Sequence, residues 1–173
     1  GQGSWQPSLA VGVTRSTGGV GISYTTHYTQ ISNREVCVYK DIVIVDLDGT
    51  LSDPGHRRHY LKGPDRNWYR FQDLAVDDPV KEFTKRVVVT LSEKGNEIHI
   101  LSGRNKKYLQ ASEWWLKHHK IPYDSIDLPR RGSTSHTQDY ILKSEWLDSK
   151  GQAFEDRIAC CLDDRDQVVN MWR

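Results

Sequence analysis

The stretch "DIVIVDLDGT", Asp41 to Thr50, sets four apolar residues in a row and then two carboxylates two positions apart. Ile42 to Val45 reads as a strand covered on both faces, as in a parallel sheet. Asp46 and Asp48 fall where that strand should meet a loop. In extended chain, residues two apart project to one side. Both acids can therefore face one ligand, provided the chain turns at Gly49 and Thr50.

The pattern stays regular downstream. Leu51 to Val76 is loop-rich, punctuated by Pro54, Gly55, Gly63 and Pro64. Asp78 before Pro79 reads as a helix N-cap with proline at the first helical position. Val80, Phe83, Val87 and Leu91 then recur at helical spacing, and Gly95 stops the helix. Glu97 to Ser102 is a strand. Asn105 to Lys120 is a helix with Tyr108, Ala111 and Trp115 on one face. "DSIDLP" is a short strand, Asp139 to Leu147 a helix, Arg157 to Leu162 a strand, and a last helix starts near Asp166. This strand–helix alternation predicts a doubly wound α/β fold with a mainly parallel sheet. Such sheets bind ligands beyond the carboxyl ends of their strands.

Three predicted strands end in polar groups: Asp46 and Asp48, then Ser102-Gly103-Arg104, then Asp163-Asp164-Arg165. In a parallel sheet all three lie on one edge, and Lys143 can join them from the helix before the last strand. Each piece alone has a plain structural reading. A DxD can be a loop cap, Asp139 and Lys143 have the spacing of a surface ion pair, and "DDR" can be a solvated turn. Together, in order, they form a pocket of carboxylates with one ammonium, one hydroxyl and a guanidinium. Clustered carboxylates raise one another's pKa until a cation relieves them. Hard oxygen donors without sulfur or paired histidines point to Mg²⁺. Lys, Arg and Ser suit phosphate oxygens.

The bulk composition is that of a soluble globular protein. Hydrophobic residues make up 36% and charged residues 27%, with a net charge of +1, so any attraction for nucleic acid must be local. No apolar run approaches the ~20 residues of a membrane span, and no secretory signal pattern opens the chain. Cys37, Cys160 and Cys161 make no disulfide framework and read as reduced thiols in a cytoplasmic setting. Residues 1–40, rich in Gly, Ser and Thr, read as an N-terminal extension or small β segment ahead of a domain at 41–173. "GISYTTHYTQIS" and "NREVCVYK" have β character, and "STGGVG" lacks the ending of a phosphate-binding P-loop. A chain opening on Gly1, with Met171 as its only methionine, is expected to be processed, tagged or truncated.

The motifs "DLDGT", "LSGR", Lys143 and "LDDR" resemble those of haloacid dehalogenase (HAD) superfamily phosphatases. "DYILK", "WLKHHKIPYD", "DDRDQVVNMWR" and Arg57 resemble the 3′-phosphatase domain of bacteriophage polynucleotide kinase–phosphatases. The resemblance runs from Asp41 to Arg173, where such relatives usually continue into another strand. It implies Asp46 as nucleophile forming an aspartyl-phosphate. It implies Asp48 as general acid and then base, with Ser102 and Lys143 holding phosphoryl oxygens. Mg²⁺ would be bound by Asp46, the backbone carbonyl of Asp48 and Asp163, with Asp164 as a further ligand or positioner. Arg57, Gly103 and Arg104 would meet the substrate, and Asp139 would orient Lys143 or Arg104. Gly49 would keep a side chain away from the phosphate.

The resemblance also implies a minimal cap, since only about 25 residues separate Thr50 from the next helix. An open site suits a nucleic acid end. Pro54 to Phe71 interleaves Arg57, Arg58, Lys62, Arg66 and Arg70 with Tyr60, Trp68, Tyr69 and Phe71. That mix suits a phosphate backbone and a stacked base, or a loop anchored by aromatics with solvated basics. His56 and His59 are spaced like a metal pair, yet no second pair accompanies them. The expected activity is removal of 3′-phosphate from DNA or RNA ends in nucleic acid repair. A nucleotidase or small-metabolite phosphatase, and a non-catalytic nucleic-acid-binding module, are the alternatives.

Overall fold

The computed structural model describes residues 8–16, 19–27, 40–132 and 136–173. The chain divides into two compact units, Gly1–Val38 and Tyr39–Arg173. In the first, β1 (Ser8–Ser16) pairs antiparallel with β2 (Gly19–His27), from Ser8 opposite His27 to Ser16 opposite Gly19. The glycine-rich "STGGVG" therefore leads into a strand. The strand expected over "NREVCVYK" and the thiol of Cys37 lie outside the described residues.

The second unit carries the alternation read from the sequence. Its strands are β3 (Ile42–Val45), β4 (Glu97–Leu101), β5 (Ser125–Asp127) and β6 (Ile158–Leu162). They form an all-parallel sheet in the order β5-β4-β3-β6. Its helices are α1 (Trp68–Asp73), α2 (Glu82–Glu93), α3 (Leu109–His118), α4 (Asp139–Lys150), α5 (Gln152–Glu155) and α6 (Asp166–Met171). Val45 lies level with Ile100 on one side and Leu162 on the other, so β3, β4 and β6 end on the same edge.

Pleating sends alternate strand residues to opposite faces. Val43, Val45, Ile98 and Ile100 are buried against Val88 of α2 and Trp115 and Leu116 of α3. Ile42, Ile44 and Leu101 are buried on the other face against Trp146 of α4, with Phe154 of α5 beside them. Helices cover both faces, as in a HAD-type Rossmann-like fold, and the apolar run of β3 follows from that double cover.

Two local expectations are corrected. The helix after Pro79 begins at Glu82, not at the proline, and Asp78 does not cap it. Val88 is its buried residue, while Phe83 is 74% exposed. The stretch Leu51 to Val76, read as loop, contains a 3₁₀ turn over Gly55–Leu61, α1, and a second 3₁₀ turn beginning at Leu74. Among the described residues no helix is long and apolar enough to cross a membrane.

Leu116 and Trp114 are close neighbours on α3 with opposite environments, one fully buried and the other mostly exposed. Leu116→Ala is expected to cost about 2–5 kcal/mol in urea unfolding, and Trp114→Ala less than about 0.5 kcal/mol. Equal costs would contradict this packing.

Candidate active site

The ladders of the sheet run directly into the site. Asp46 N–H donates to the Leu162 carbonyl at 2.9 Å, and Ser102 N–H donates to the Asp127 carbonyl at 3.2 Å. Both residues inherit the rigidity of the strands. Asp46 and Ser102 are buried. Lys143 comes from the second turn of α4, also buried, and its Nζ donates to Asp46 Oδ1 at 2.8 Å and to Asp163 Oδ2 at 2.6 Å. Asp139, one turn earlier, brings Oδ2 within 3.4 Å of the same ammonium.

Burial alone pushes Lys143 toward its neutral form, but Asp46, Asp139 and Asp163 outweigh it and keep the ammonium charged. Asp46 is raised above the usual carboxylate range, by burial first and then by Asp163 and Asp139, with Lys143 opposing. Asp164 is raised by burial and by Asp163. Asp46, Asp163 and Asp164 each present an oxygen within 4.8 Å of the others. Three acids so close repel one another, and a divalent cation with hard oxygen ligands fits the donor set. The Asp48 carboxylate is not in this cluster.

Asp48 faces two arginines instead. Its Oδ1 accepts from Arg57 Nη2 at 2.5 Å and from Arg104 Nη2 at 2.6 Å. Burial raises its pKa, but the two guanidiniums, Arg104 foremost, outweigh that and hold it well below the carboxylate range. Arg57 is wholly buried behind Asp48. Its Nε and Nη2 also fork onto Asp78 at 2.6 Å each, and its Nη1 donates to the Phe71 carbonyl at 2.9 Å.

Asp78 is the residue that sequence reasoning missed. Its carboxylate also accepts from Ser52 Oγ at 2.8 Å and meets His56 Nε2 at 2.9 Å. Trp115 Nε1 donates to its carbonyl at 2.8 Å. His56 thus serves loop packing, and His59 lies against Tyr60. The only sequence signal was an acid before proline, which fits a cap equally well.

Two glycines permit close approaches. Gly49 has φ +95, and a Cβ there would overlap the Asp164 carboxylate. A Cβ on Gly103 would overlap Asp139 Oδ1. Lys81 Nζ holds the Gly49 carbonyl at 2.5 Å, a second contact not foreseen from sequence.

A cavity of about 540 Å³ opens over Asp46, Asp48, Ser102, Arg104 and Asp139. Arg57 is not on its wall. A smaller hollow of about 300 Å³ borders Gly49, Lys81, Asp163 and Asp164.

Residues 40–173 match the family model of the polynucleotide kinase PNKP phosphatase domain. The chain belongs to this family of HAD phosphatases. It is a phosphoric monoester hydrolase by class. Solved structures agree. One described as a Pnkp1/Rnl/Hen1 complex matches with TM-score 0.61 and 26% identity, over 87% of this chain and 50% of that one. One described as the Pnkp1/Rnl/Hen1 RNA repair complex matches with TM-score 0.59 and 28% identity, over 84% and 45%. The chain spans about half the length of these two. A Clostridium difficile protein of known structure shares the fold, with TM-score 0.54 and 16% identity over 77% of this chain and 80% of that one. No curated protein sequence matches the chain.

Removing Arg57 takes from the buried Asp78 carboxylate its forked guanidinium partner. Arg57→Ala is expected to destabilise by about 3–5 kcal/mol in urea unfolding. Arg57→Ala with Asp78→Ala should cost clearly less than the two single losses summed. Strict additivity would mean that the pair is not coupled.

Proposed function

We propose that residues 41–173 form a Mg²⁺-dependent phosphatase that removes 3′-phosphate from nucleic acid ends through an aspartyl-phosphate on Asp46. The observation that carries this reading is the buried Lys143 ammonium held between Asp163 and Asp46, the latter on the wall of an open cavity. That arrangement neutralises charge where an anionic phosphoryl group must meet an anionic nucleophile.

An Asp46 carboxylate oxygen attacks phosphorus, and the bond from phosphorus to the 3′-oxygen breaks. Asp48, as carboxylic acid, gives its proton to that leaving oxygen. Asp48, now a carboxylate, takes a proton from water, whose oxygen attacks the phosphorus of the acyl phosphate. Phosphate leaves and Asp46 is restored. Ser102 and Lys143 hold phosphoryl oxygens through both steps. Asp46, Asp163 and Asp164, with the Asp48 carbonyl, would hold Mg²⁺, which when bound offsets charge on the phosphoryl oxygens. Asp139 lies beside Lys143 and orients it.

The two arginines divide their work by position. Arg104 lines the cavity and meets the incoming phosphate. Arg57 sits behind and fixes Asp48. In the free protein both keep Asp48 ionised, the form that activates water. A phosphate that competes with Asp48 for Arg104 would remove the larger of the two contacts that hold Asp48 ionised, and Asp48 would then take from solvent the proton that the first step requires. The nucleic acid substrate rests on the family match and on the two solved neighbours from Pnkp1/Rnl/Hen1 complexes, one described as an RNA repair complex.

Asp46→Asn should lower phosphate release roughly a thousandfold or more while the circular dichroism spectrum stays native. Retained activity would remove Asp46 from the mechanism. A chelator should abolish turnover and added Mg²⁺ restore it; activity indifferent to both would exclude the metal. A 3′-phosphorylated oligonucleotide should be preferred over a 3′-mononucleotide, with kcat/KM falling steeply as salt rises. Equal use of the mononucleotide would move the assignment to a nucleotidase.

A further inference from the structure

The cavity has an aromatic wall that the phosphoryl chemistry does not use. Trp68 and Tyr69, at the start of α1, border the cavity while remaining 52% and 71% exposed. Tyr108 and Lys107 face them from the turn before α3. The Lys107 ammonium lies 4.6 Å from the ring centroids of both Tyr69 and Tyr108. Two exposed rings at the mouth of a charged pocket are costly to solvate and available to stack.

This wall is braced. Tyr108 Oη donates to Asp73 Oδ1 at 2.8 Å, and Asn105 N–H donates to Gln72 Oε1 at 2.8 Å, so the turn before α3 is tied to α1 at two points. Trp68 meets the buried Phe71 edge-on at 6.0 Å, and the Arg57 guanidinium covers that ring at 4.0 Å. The wall is thus seated on the residue that holds Asp48. Of the aromatics in this segment, Phe71 is the anchor, whereas Trp68 and Tyr69 are left open.

We propose that Trp68, Tyr69 and Tyr108 form a stacking subsite for unpaired bases at the 3′ end of a single-stranded nucleic acid, with Lys107 meeting a backbone phosphodiester. The proposal rests on the 3′-end reading above. Stacking is tolerant of base identity, since every base offers a π-face. Lys107 and the half-exposed Arg165 put positive charge on the same cavity wall, as a polyanion requires. Bases inside a duplex are already stacked on one another, whereas an unpaired 3′ end is free to splay successive bases onto the rings, which favours a single-stranded end.

The test compares three substrates with the full chain: a 3′-phosphorylated oligonucleotide, the same oligonucleotide made abasic at its last two nucleosides, and glycerol phosphate. Trp68→Ala and Tyr69→Ala should each lower kcat/KM on the first about tenfold, mostly through KM. On the other two they should act within about twofold. Trp68→Phe should restore most of the loss. Equal losses on all three substrates, or no loss on the first, would overturn the subsite while leaving the 3′-phosphatase reading intact. Wild-type turnover of glycerol phosphate without turnover of either oligonucleotide would overturn both.

Discussion

Like charges crowd the carboxyl edge of the sheet, and the Lys143 ammonium sits where they meet. Its bonds to Asp46 and Asp163 join the end of β3 to the loop after β6. Neither acid could be buried so close to the other without a cation between them. Asp139 and Asp164 add to the crowding, and burial first, with the Asp163 charge also contributing, raises Asp46 and Asp164 above the usual carboxylate range. Negative charge gathered at the strand ends in this way would suit a divalent cation.

A second ionic network performs the complementary task. Arg57 and Arg104 grip Asp48, and Asp78 grips Arg57. Through Phe71 and Trp115 this network reaches both the short insertion and the main core. The insertion is small, so it cannot be held by a hydrophobic core of its own. Buried ion pairs and a few aromatics hold it instead. The position of Asp48 is therefore tied to the same residues that shape the cavity wall.

Much of this was legible in the sequence because β3 and β6 are continuous apolar runs and β4 an alternating one, each ending abruptly in polar residues. A parallel sheet converts that one-dimensional pattern into a common edge, which is why Asp46, Asp48, Ser102, Arg104, Lys143, Asp163 and Asp164 could be gathered before any coordinates. Asp78 escaped because an acid before proline satisfies a helix cap and an ion pair equally well. Its true partner lies across an irregular segment whose path no periodicity encodes. The core face of α2 was placed only in part for a related reason: Val80 and Leu91 do pack on the core, but Val88 and not Phe83 is buried. Val87, Val88 and Val89 are adjacent, and each step of one residue turns the face by about 100°. The apolar pattern alone does not choose among them; the seat against Ile98 and Trp115 does.

The central claim is that Asp46 takes the phosphoryl group covalently. Its most direct test is rapid acid quench of the protein with an oligonucleotide labelled in its 3′-phosphate, followed by peptide mapping. The account predicts transient label, stable in acid and labile to hydroxylamine, on the peptide containing Asp46. Full phosphate release with no protein-bound label at any time, or label on a peptide lacking Asp46, would contradict it.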